Sequence, residues 1–362
     1  MSTKICSYNV ENLFSRPKVL NLKDNDQVSL LLQQIARFKE LMEKDDYGPH
    51  KAEILQLWAA VHLYVELNVR SRAAGVPRDF LTEAALKAKG RGDWEGFIEF
   101  RRAEFSGEQV DNTARVIKAI KPDIMGFVEV ENRSALGRFD TDVLNNLFED
   151  MIVIDGNDPR EIDVAMAARK GFRFKGVSTN VLFRDDKPGY VFSRDCLVGV
   201  FEVNGKTVTI MQNHFKAKDA TPKVSDEKRR RQAAAVRWIL TNRYDLKKDR
   251  VIVMGDFNDE PESRPLQELV TTPDLHNVFD VVGIAPDDRW TYYYGSKKQR
   301  NKIDMMFVSE ALRAEVAAAG IERRGIADLD VITGGKQKQF KEVTSWRVSG
   351  SDHAAIWAEF NL

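Results

Sequence analysis

The chain has 362 residues and a hydrophobic share of 43%, enough for one large or two ordinary domains with a real core. Its formal net charge is zero, which argues against DNA binding through bulk charge, and its two cysteines, Cys6 and Cys196, exclude a disulfide framework and a cysteine-rich zinc site. No apolar run is long enough to span a membrane and no apolar signal region opens the chain, so we expect a cytoplasmic protein.

The first predicted element is a strand over Lys4–Val10 that ends in polar residues. Asn9 and Glu11 lie on one side of this segment, because alternate residues of an extended chain point the same way. Alone, such a group is more typical of a cap or a turn than of a functional site.

From about Lys18 to Gly107 the apolar residues follow a helical period, and no strand pattern is visible. Helices are predicted over four stretches: Leu30–Met42, Ile54–Val69, Phe80–Lys89 and Trp94–Phe105. We interpret the region as a helical block inserted after the first strand. Its apolar faces pack on each other or on the main domain, or they bind a protein partner.

After this block, a short helix over Asn112–Ile120 ends at Lys121-Pro122, since a residue before proline is pushed out of the helical region. A buried strand, Asp123–Val128, then ends at Glu129-Val130-Glu131-Asn132. One helix and five strands are predicted next: Thr141–Phe148, then Met151–Ile154, Asp163–Ala167, Phe172–Phe183, Leu197–Val203 and Thr207–Gln212. The turn Asn204-Gly205 joins the last two strands as a hairpin.

The remaining elements also carry polar residues at their ends. The hairpin's return strand ends at Asn213-His214-Phe215-Lys216-Ala217-Lys218, and the buried strand Val251–Met254 ends at Gly255-Asp256-Phe257-Asn258. Asp256 and Asn258 can project together, being two residues apart on an extended chain. The other predicted elements are a helix, Ser225–Asn242, and strands over Trp290–Tyr294, Lys302–Val308, which contains Asp304, and Ala354–Phe360, which follows Ser351-Asp352-His353.

The polar residues at these boundaries are carboxylates, amides and histidines, namely Asn9, Glu11, Glu129, His214, Asp256, Asn258, Asp304, Asp352 and His353. Oxygen ligands with few cysteines suit Mg²⁺ or Mn²⁺. A histidine beside a carboxylate suits an imidazole that contacts a phosphate. Asp304 lies in an apolar run and needs a partner if buried, for which His353 is a reasonable candidate. A histidine considered alone is more often a structural residue, with its hydrogen bonds satisfied, than a functional one.

Two basic clusters, Lys228–Arg231 and Lys297–Lys302, could contact an acidic partner despite the neutral total charge. Lys216, Lys218 and the arginines of the first cluster lie close in sequence to His214 and could contact a nucleic-acid backbone. A solvated helix face is an equally good explanation of the arginine run.

Five segments together resemble the endonuclease/exonuclease/phosphatase superfamily, whose fold is that of pancreatic deoxyribonuclease, and most closely its bacterial predicted nucleases. They are Tyr8–Phe14, Glu129–Asn132, Asn213–Lys216, Gly255–Pro261 and Ser351–His353, in the family's order. The resemblance implies an α+β fold: a four-layer α/β-sandwich of two packed, mostly antiparallel sheets flanked by helices, plus the inserted helical block. It implies a catalytic domain of residues 1–17 and 108–362, with residues 18–107 as the inserted subdomain.

The resemblance also implies roles for the boundary residues. Glu129 resembles the principal metal ligand, ahead of its rival Glu131, while Asn9 and Asp352 complete the site and Glu11 is a second carboxylate. Asp256, with Asn258 beside it, resembles the residue that orients or deprotonates the attacking water. His214 and His353 match histidines that contact the scissile phosphate, and Asp304 matches the acid that orients His353.

The predicted function is therefore divalent-metal-dependent phosphodiester hydrolysis with Mg²⁺ or Mn²⁺, by a nuclease whose substrate is DNA or RNA. Charge builds on the phosphoryl oxygens during in-line attack, and a divalent ion with imidazolium groups neutralises it. Two alternatives stay open: a phosphatase or phosphodiesterase for a small-molecule or lipid phosphoester, and a non-catalytic module that binds a protein partner through the inserted block.

Overall fold

The computed structural model describes residues 2–13, 17–22, 24–102 and 107–362. Phe14, the last residue of the first motif, and the end of the predicted Trp94–Phe105 element lie outside these residues. The chain divides into two compact units, one made of Met1–Phe14 with Phe105–Leu362 and the other of Ser15–Glu104. Among the described residues, no helix is both long and apolar enough to cross a membrane.

The strands, in chain order, are β1 Ser2–Leu13, β2 Val65–Arg72, β3 Trp94–Phe100, β4 Ile124–Val130, β5 Asp150–Ile154, β6 Asp163–Ala168, β7 Arg173–Ser178, β8 Leu197–Val203, β9 Lys206–His214, β10 Arg250–Asp256, β11 Leu275–Asn277, β12 Tyr292–Tyr294, β13 Gln299–Asn301, β14 Asp304–Ser309, β15 Val316–Glu322 and β16 Ala355–Asn361. The α-helices are α1 Asn25–Met42, α2 Lys51–Val61, α3 Glu108–Ile120, α4 Arg133–Phe139, α5 Pro222–Arg243, α6 Gln267–Val270, α7 Val278–Val281, α8 Glu310–Arg313 and α9 Leu329–Ile332.

The larger unit contains two six-stranded sheets, in the orders β15-β16-β1-β4-β6-β5 and β11-β14-β10-β9-β8-β7. In each sheet one central pair is parallel, β1 with β4 and β9 with β10, and the other neighbours are antiparallel. The prediction of two mostly antiparallel sheets is confirmed. The carboxyl ends of both parallel pairs are the ends that carry the polar residues.

Apolar side chains from the two sheets meet in one buried core. Ile5 and Ile124 come from the first sheet, and Ile210 and Ile252 from the second. A second cluster joins the outer face of the second sheet to α5, and a third joins the outer face of the first sheet to α3 and α4. The result is a helix–sheet–sheet–helix sandwich, as expected from strands with buried residues on both faces.

The smaller unit has its own core but is only partly helical. Its helices α1 and α2 correspond to the first two predicted helices. Val65 and Val69, which were assigned to the second of these helices, lie instead in β2, which pairs with β3 in a separate two-stranded sheet. The helices predicted over Phe80–Lys89 and Trp94–Phe105 are wrong, since Trp94–Phe100 is β3 and Leu81 forms an isolated bridge with Leu86.

Other predicted elements need smaller corrections. The helix predicted over Thr141–Phe148 is a single π-helical turn, Asp140–Leu144. The strand predicted over Phe172–Phe183 is limited to β7. Strand β15 was not predicted, because its sequence, Val-Ala-Ala-Ala-Gly-Ile-Glu, is mostly alanine and glycine and has only two β-branched residues and no aromatic one.

Gly255 is required where β10 runs beside β9. Its φ is 137°, and a Cβ built on it would lie 2.0 Å from the carbonyl oxygen of Asn213. We expect Gly255→Ala to destabilise the protein by about 3 kcal/mol or more, because backbone rather than a flexible side chain blocks the methyl group. Urea unfolding measures the change.

Gly137→Ala is the matched control for that substitution. Gly137 lies in α4, and its added Cβ would make only an ordinary contact of 3.7 Å with Met151. This variant should be neutral or more stable by up to about 1 kcal/mol. Equal stability of the two variants would show that the close approach at Gly255 is unimportant.

Candidate active site

The polar strand ends open into one cleft of about 690 Å³. Seven of the predicted site residues line it, namely Glu129, His214, Lys218, Asp256, Asn258, Asp352 and His353. Both parallel strand pairs end at this edge, which is why side chains far apart in sequence meet there. Glu129 lines the cleft, whereas its rival Glu131 is not among the lining residues described.

The backbone at the cleft is locally unusual. The pairing of β1 with β4 shifts between Asn9 and Leu13, and that of β4 with β6 shifts between Val128 and Val130. Glu11, Asn12, Glu129 and Asn258 have positive φ values of 50°, 62°, 69° and 55°. A side chain other than glycine in this conformation costs about 1 kcal/mol or more, and such strain is typical of functional sites. Asn12 and Glu129 lie at these two pairing irregularities and line the cleft.

Asn9 connects the carboxylates of the two sheets. Its Nδ2 lies 3.1 Å from Oδ2 of Asp256, 3.4 Å from Oε1 of Glu129 and 3.5 Å from Nε2 of His353. Its Oδ1 accepts the backbone N–H of Glu11 at 3.1 Å. In this arrangement Asn9 is a hydrogen-bond bridge, and ligation of a metal through its oxygen would require the amide to be reversed.

Glu11 lies close to Asp352. The backbone N–H of Asp352 donates to Oε2 of Glu11 at 3.1 Å. Burial raises the pKa of Glu11 to about 7, with a further contribution from the negative charge of Asp352. Glu11 therefore binds a proton more readily than an exposed glutamate, mainly because it is buried.

Both carboxylate oxygens of Asp256 accept hydrogen bonds from Asn258. The backbone N–H of Asn258 donates to its Oδ1 at 2.8 Å, and Nδ2 of Asn258 donates to its Oδ2 at 3.1 Å. Asp256 is almost fully buried, and burial raises the pKa of its carboxyl above the ordinary value. The charge of Asp304 raises this pKa further, while that of His353 opposes the shift.

His353 and Asp304 form a buried pair. Nδ1 of His353 lies 2.8 Å from Oδ2 of Asp304, whose own N–H donates to Oγ1 of Thr291 at 3.0 Å. Burial lowers the pKa of the His353 ring, but the neighbouring carboxylates, Asp304 first, outweigh burial and hold that pKa well above its ordinary value. The protonated form of the ring is therefore favoured, and its Nε2 lies 3.8 Å from Oδ2 of Asp256.

His214 lines the same cleft in a different electrostatic environment. Its Nε2 is 3.9 Å from Oε1 of Glu129 and 3.8 Å from Oδ2 of Asp256. Burial lowers the pKa of this ring well below its usual value, and the charges of Arg194 and His353 lower it further. The protein surroundings thus favour a protonated ring at His353 and an unprotonated ring at His214.

The two lysines predicted to bind substrate each have an acidic partner. Lys216 Nζ lies 2.8 Å from Asp219, and Lys218 Nζ lies 2.8 Å from Asp259. The arginines of the first basic cluster are also paired, namely Arg229 with Asp226 and Asp259, Arg230 with Glu227, and Arg231 with Asp185. Arg229 is fully buried. The contacts of this arginine cluster are therefore mainly structural. Of these two lysines and three arginines, Lys218 alone lines the cleft.

Sequence reasoning missed several residues of the cleft wall. Arg194 is 2% exposed and pairs with Asp158 at 3.0 Å, and Arg160 lines the cleft beside it. Tyr292 and Tyr294 line the opposite wall. The arginines follow irregular segments without a motif, whereas the run Tyr292-Tyr293-Tyr294 before a basic cluster was a visible signal in the sequence.

Among the described residues, one group of acidic and histidine side chains is close enough to hold a metal ion, and a second set of carboxylates is a candidate by its chemistry. Oxygen and nitrogen atoms of Asp256, Asp304 and His353 lie within 4.8 Å of one another. Asp304 and His353 of this group already hydrogen-bond to each other. Glu129, Asp352 and Glu11 are a second set of carboxylates, in which Glu11 accepts the backbone N–H of Asp352 and Asn9 donates to Glu129. This second group suits a hard divalent cation without disturbing the pair.

A model of the Endonuclease/Exonuclease/phosphatase family matches residues 95–320. No curated protein matches the sequence. Among solved structures, a family protein from Bacteroides thetaiotaomicron aligns with a TM-score of 0.55 and 14% identity, covering 100% of this chain and 99% of that chain.

Two further structures share the fold. D. rerio TDP2 complexed with single-strand DNA product has a TM-score of 0.51 and 16% identity, covering 70% of this chain and 92% of that one. The human Nocturnin catalytic domain with bound sulfate has a TM-score of 0.50 and 16% identity, covering 70% and 86%. At these identities the likeness shows the fold alone.

Proposed function

The chain belongs to the endonuclease/exonuclease/phosphatase family of phosphoester hydrolases, and from that premise we propose that it is a divalent-metal-dependent nuclease that cleaves phosphodiester bonds of DNA or RNA. The observation that carries the proposal is the position of Asn9, whose one amide nitrogen lies within 3.5 Å of Glu129, Asp256 and His353. A metal-ligand candidate, a base candidate and a charged histidine thus share one cleft.

In the proposed site, Glu129, Asp352 and Glu11 would hold Mg²⁺ or Mn²⁺, while Asn9 keeps its amide hydrogen bonds to Glu129 and Asp256. The ion would supply positive charge against the phosphoryl oxygens and lower the cost of charge build-up in the transition state. The fit rests on the donor set, which is rich in carboxylate oxygens.

Asp256 is the candidate general base. Two hydrogen bonds from Asn258 and one from Asn9 fix its carboxylate, so that it can accept a proton from water in a defined direction. Its raised pKa makes it a stronger base than an ordinary aspartate while it still ionises near neutral pH.

The two histidines have complementary roles in the proposal. Charged His353, held by Asp304, donates through Nε2 to a phosphoryl oxygen and stabilises its negative charge. Neutral His214 approaches from the other wall and positions the phosphate without adding charge. An in-line displacement needs groups on both sides of the phosphorus, and the roles proposed for the two histidines meet that need.

A substrate panel tests the proposal. We expect cleavage of single-stranded DNA or RNA, and slower cleavage of bis-p-nitrophenyl phosphate, with Mg²⁺ or Mn²⁺, and no cleavage after EDTA treatment. Activity should return when excess metal is added back.

The other outcomes of this panel separate the alternatives. Turnover confined to a phospholipid or a small phosphomonoester would replace the nuclease proposal by the phosphatase or lipid phosphodiesterase alternative. Inertness on every substrate with every metal would leave the non-catalytic, partner-binding alternative. Full activity in EDTA would contradict the metal site.

A further inference from the structure

We propose that the β12–β13 hairpin is a stacking platform for an unpaired nucleobase, which selects single-stranded nucleic acid for the cleft. The inference rests on the proposed function, because the platform forms one wall of the same cleft. Its occupant is a base that neighbours the cleaved phosphodiester on the same strand.

The platform consists of two tyrosine rings on one face of β12. Tyr292 and Tyr294 are two residues apart, so both project to the same side of the strand. Their rings are stacked, with centroids 6.4 Å apart and an interplanar angle of 23°. Tyr294 remains 41% exposed, although it lines the cleft, so its ring offers surface to a ligand.

This platform is fixed relative to the catalytic pair. The Tyr292 ring packs against the His353 ring at 4.8 Å, and the two residues form a β-bridge. Thr291 Oγ1 accepts from the backbone of Asp304, and the carbonyl of Thr291 accepts from Ala354 at 2.6 Å. The rings thus follow one another in the order His353, Tyr292, Tyr294. A base that stacks on Tyr294 would therefore be separated by the Tyr292 ring from the histidine that is proposed to contact the phosphate.

The adjacent cations suit the same occupant. Lys297 Nζ lies 5.3 Å from the centroid of the Tyr294 ring and lines the cleft. Lys297 and Lys298 are exposed, and neither has an acidic partner among the described residues. They contrast with Lys216 and Lys218, which are paired. Unneutralised cations next to an aromatic face are typical of surfaces that bind single strands, where bases stack and phosphates meet lysine.

The exposed ring favours an unpaired base over a duplex. Bases inside a duplex already stack on their neighbours and present only their edges, so they cannot cover a tyrosine face. Stacking also tolerates any base, because every base has a π-face. The platform should therefore distinguish single strands from duplexes, and strands with bases from abasic strands. It should not distinguish one base sequence from another.

The test compares two fluorescently labelled single-stranded DNA oligonucleotides of equal length, one with all its bases and one built of abasic tetrahydrofuran residues. Binding is followed by fluorescence anisotropy with the full chain in EDTA, which blocks turnover. The wild-type protein should bind the base-bearing strand about fivefold or more tightly than the abasic strand, and Tyr294→Ala should bring this ratio close to one.

Two further variants make the comparison specific. Tyr294→Phe keeps the ring and should keep the affinity ratio. Trp238→Ala removes an exposed aromatic ring that does not line the cleft, and it should not change the ratio. A ratio near one in the wild-type protein, a ratio unaffected by Tyr294→Ala, or equal binding of duplex and single strand would each overturn the proposal.

The same oligonucleotides distinguish this inference from the proposed function. Base-dependent binding without cleavage after Mg²⁺ is added would refute the nuclease and retain the platform. Cleavage of both strands with equal affinity would refute the platform and retain the nuclease.

Discussion

Glu129→Gln lowers turnover by about 10²-fold or more and shifts the activating Mg²⁺ concentration upward, if Glu129 holds the ion as proposed. The substitution removes one negative charge but keeps the size of the side chain. Asn12 N–H donates to Oε2 of Glu129 at 3.2 Å, and the amide oxygen of glutamine can still accept that bond. The fold should therefore persist while the affinity for metal falls.

Steady-state turnover as a function of Mg²⁺ concentration measures the first effect, and Mn²⁺ binding by isothermal titration calorimetry measures the second without substrate. Glu131→Gln is the matched control, since it makes the same chemical change two residues away on a residue not described as lining the cleft. If Glu131→Gln is the more damaging variant, or if Glu129→Gln binds Mn²⁺ as the wild type does, the ligand assignment is wrong.

Asp304→Asn should lower turnover by about 10²-fold with a smaller change in KM. The variant keeps the shape of the side chain but removes the charge that holds the His353 ring protonated. With Asp304 present, the ring keeps its proton to a higher pH. Without it the pKa of the ring falls, the protonated form is lost at lower pH, and the alkaline limb of the activity profile moves in that direction.

His353→Ala removes the other half of the same pair. The two losses should not add, because either change breaks one catalytic unit, so the double variant should be about as slow as the slower single variant. Turnover of the two single variants and the double variant, each across the pH range, measures the coupling. Independent multiplication of the losses, or an unmoved alkaline limb in Asp304→Asn, would show that Asp304 has another role.

The sequence by itself determined the elements whose patterns are local. Runs such as Val251–Met254 could only be buried strands, and Asn204-Gly205 could supply the positive φ values, 50° and 78°, that the tight β8–β9 turn requires. The polar residues after these strands were also visible, because each motif is short and continuous. Their order along the chain was enough to indicate the family.

Only the tertiary structure decided what depends on partners distant in sequence. Trp94, Phe97 and Ile98 have helical spacing, yet they form β3, because pairing with β2 satisfies the backbone and places Trp94 in the core. Local propensity cannot reveal such pairing, since the partner strand is not adjacent in the chain.

The charge states at the cleft were equally beyond the sequence. His214 ends β9 and His353 precedes β16, and their surroundings differ. Burial and the charge of Arg194 lower the pKa of His214, whereas at His353 the neighbouring carboxylates, Asp304 first, outweigh burial and raise it. In the same way, Lys218 lies against an acid and Lys297 lies over a tyrosine. The pKa of a side chain and its freedom to bind a ligand depend on burial and on neighbouring charges, and folding sets both.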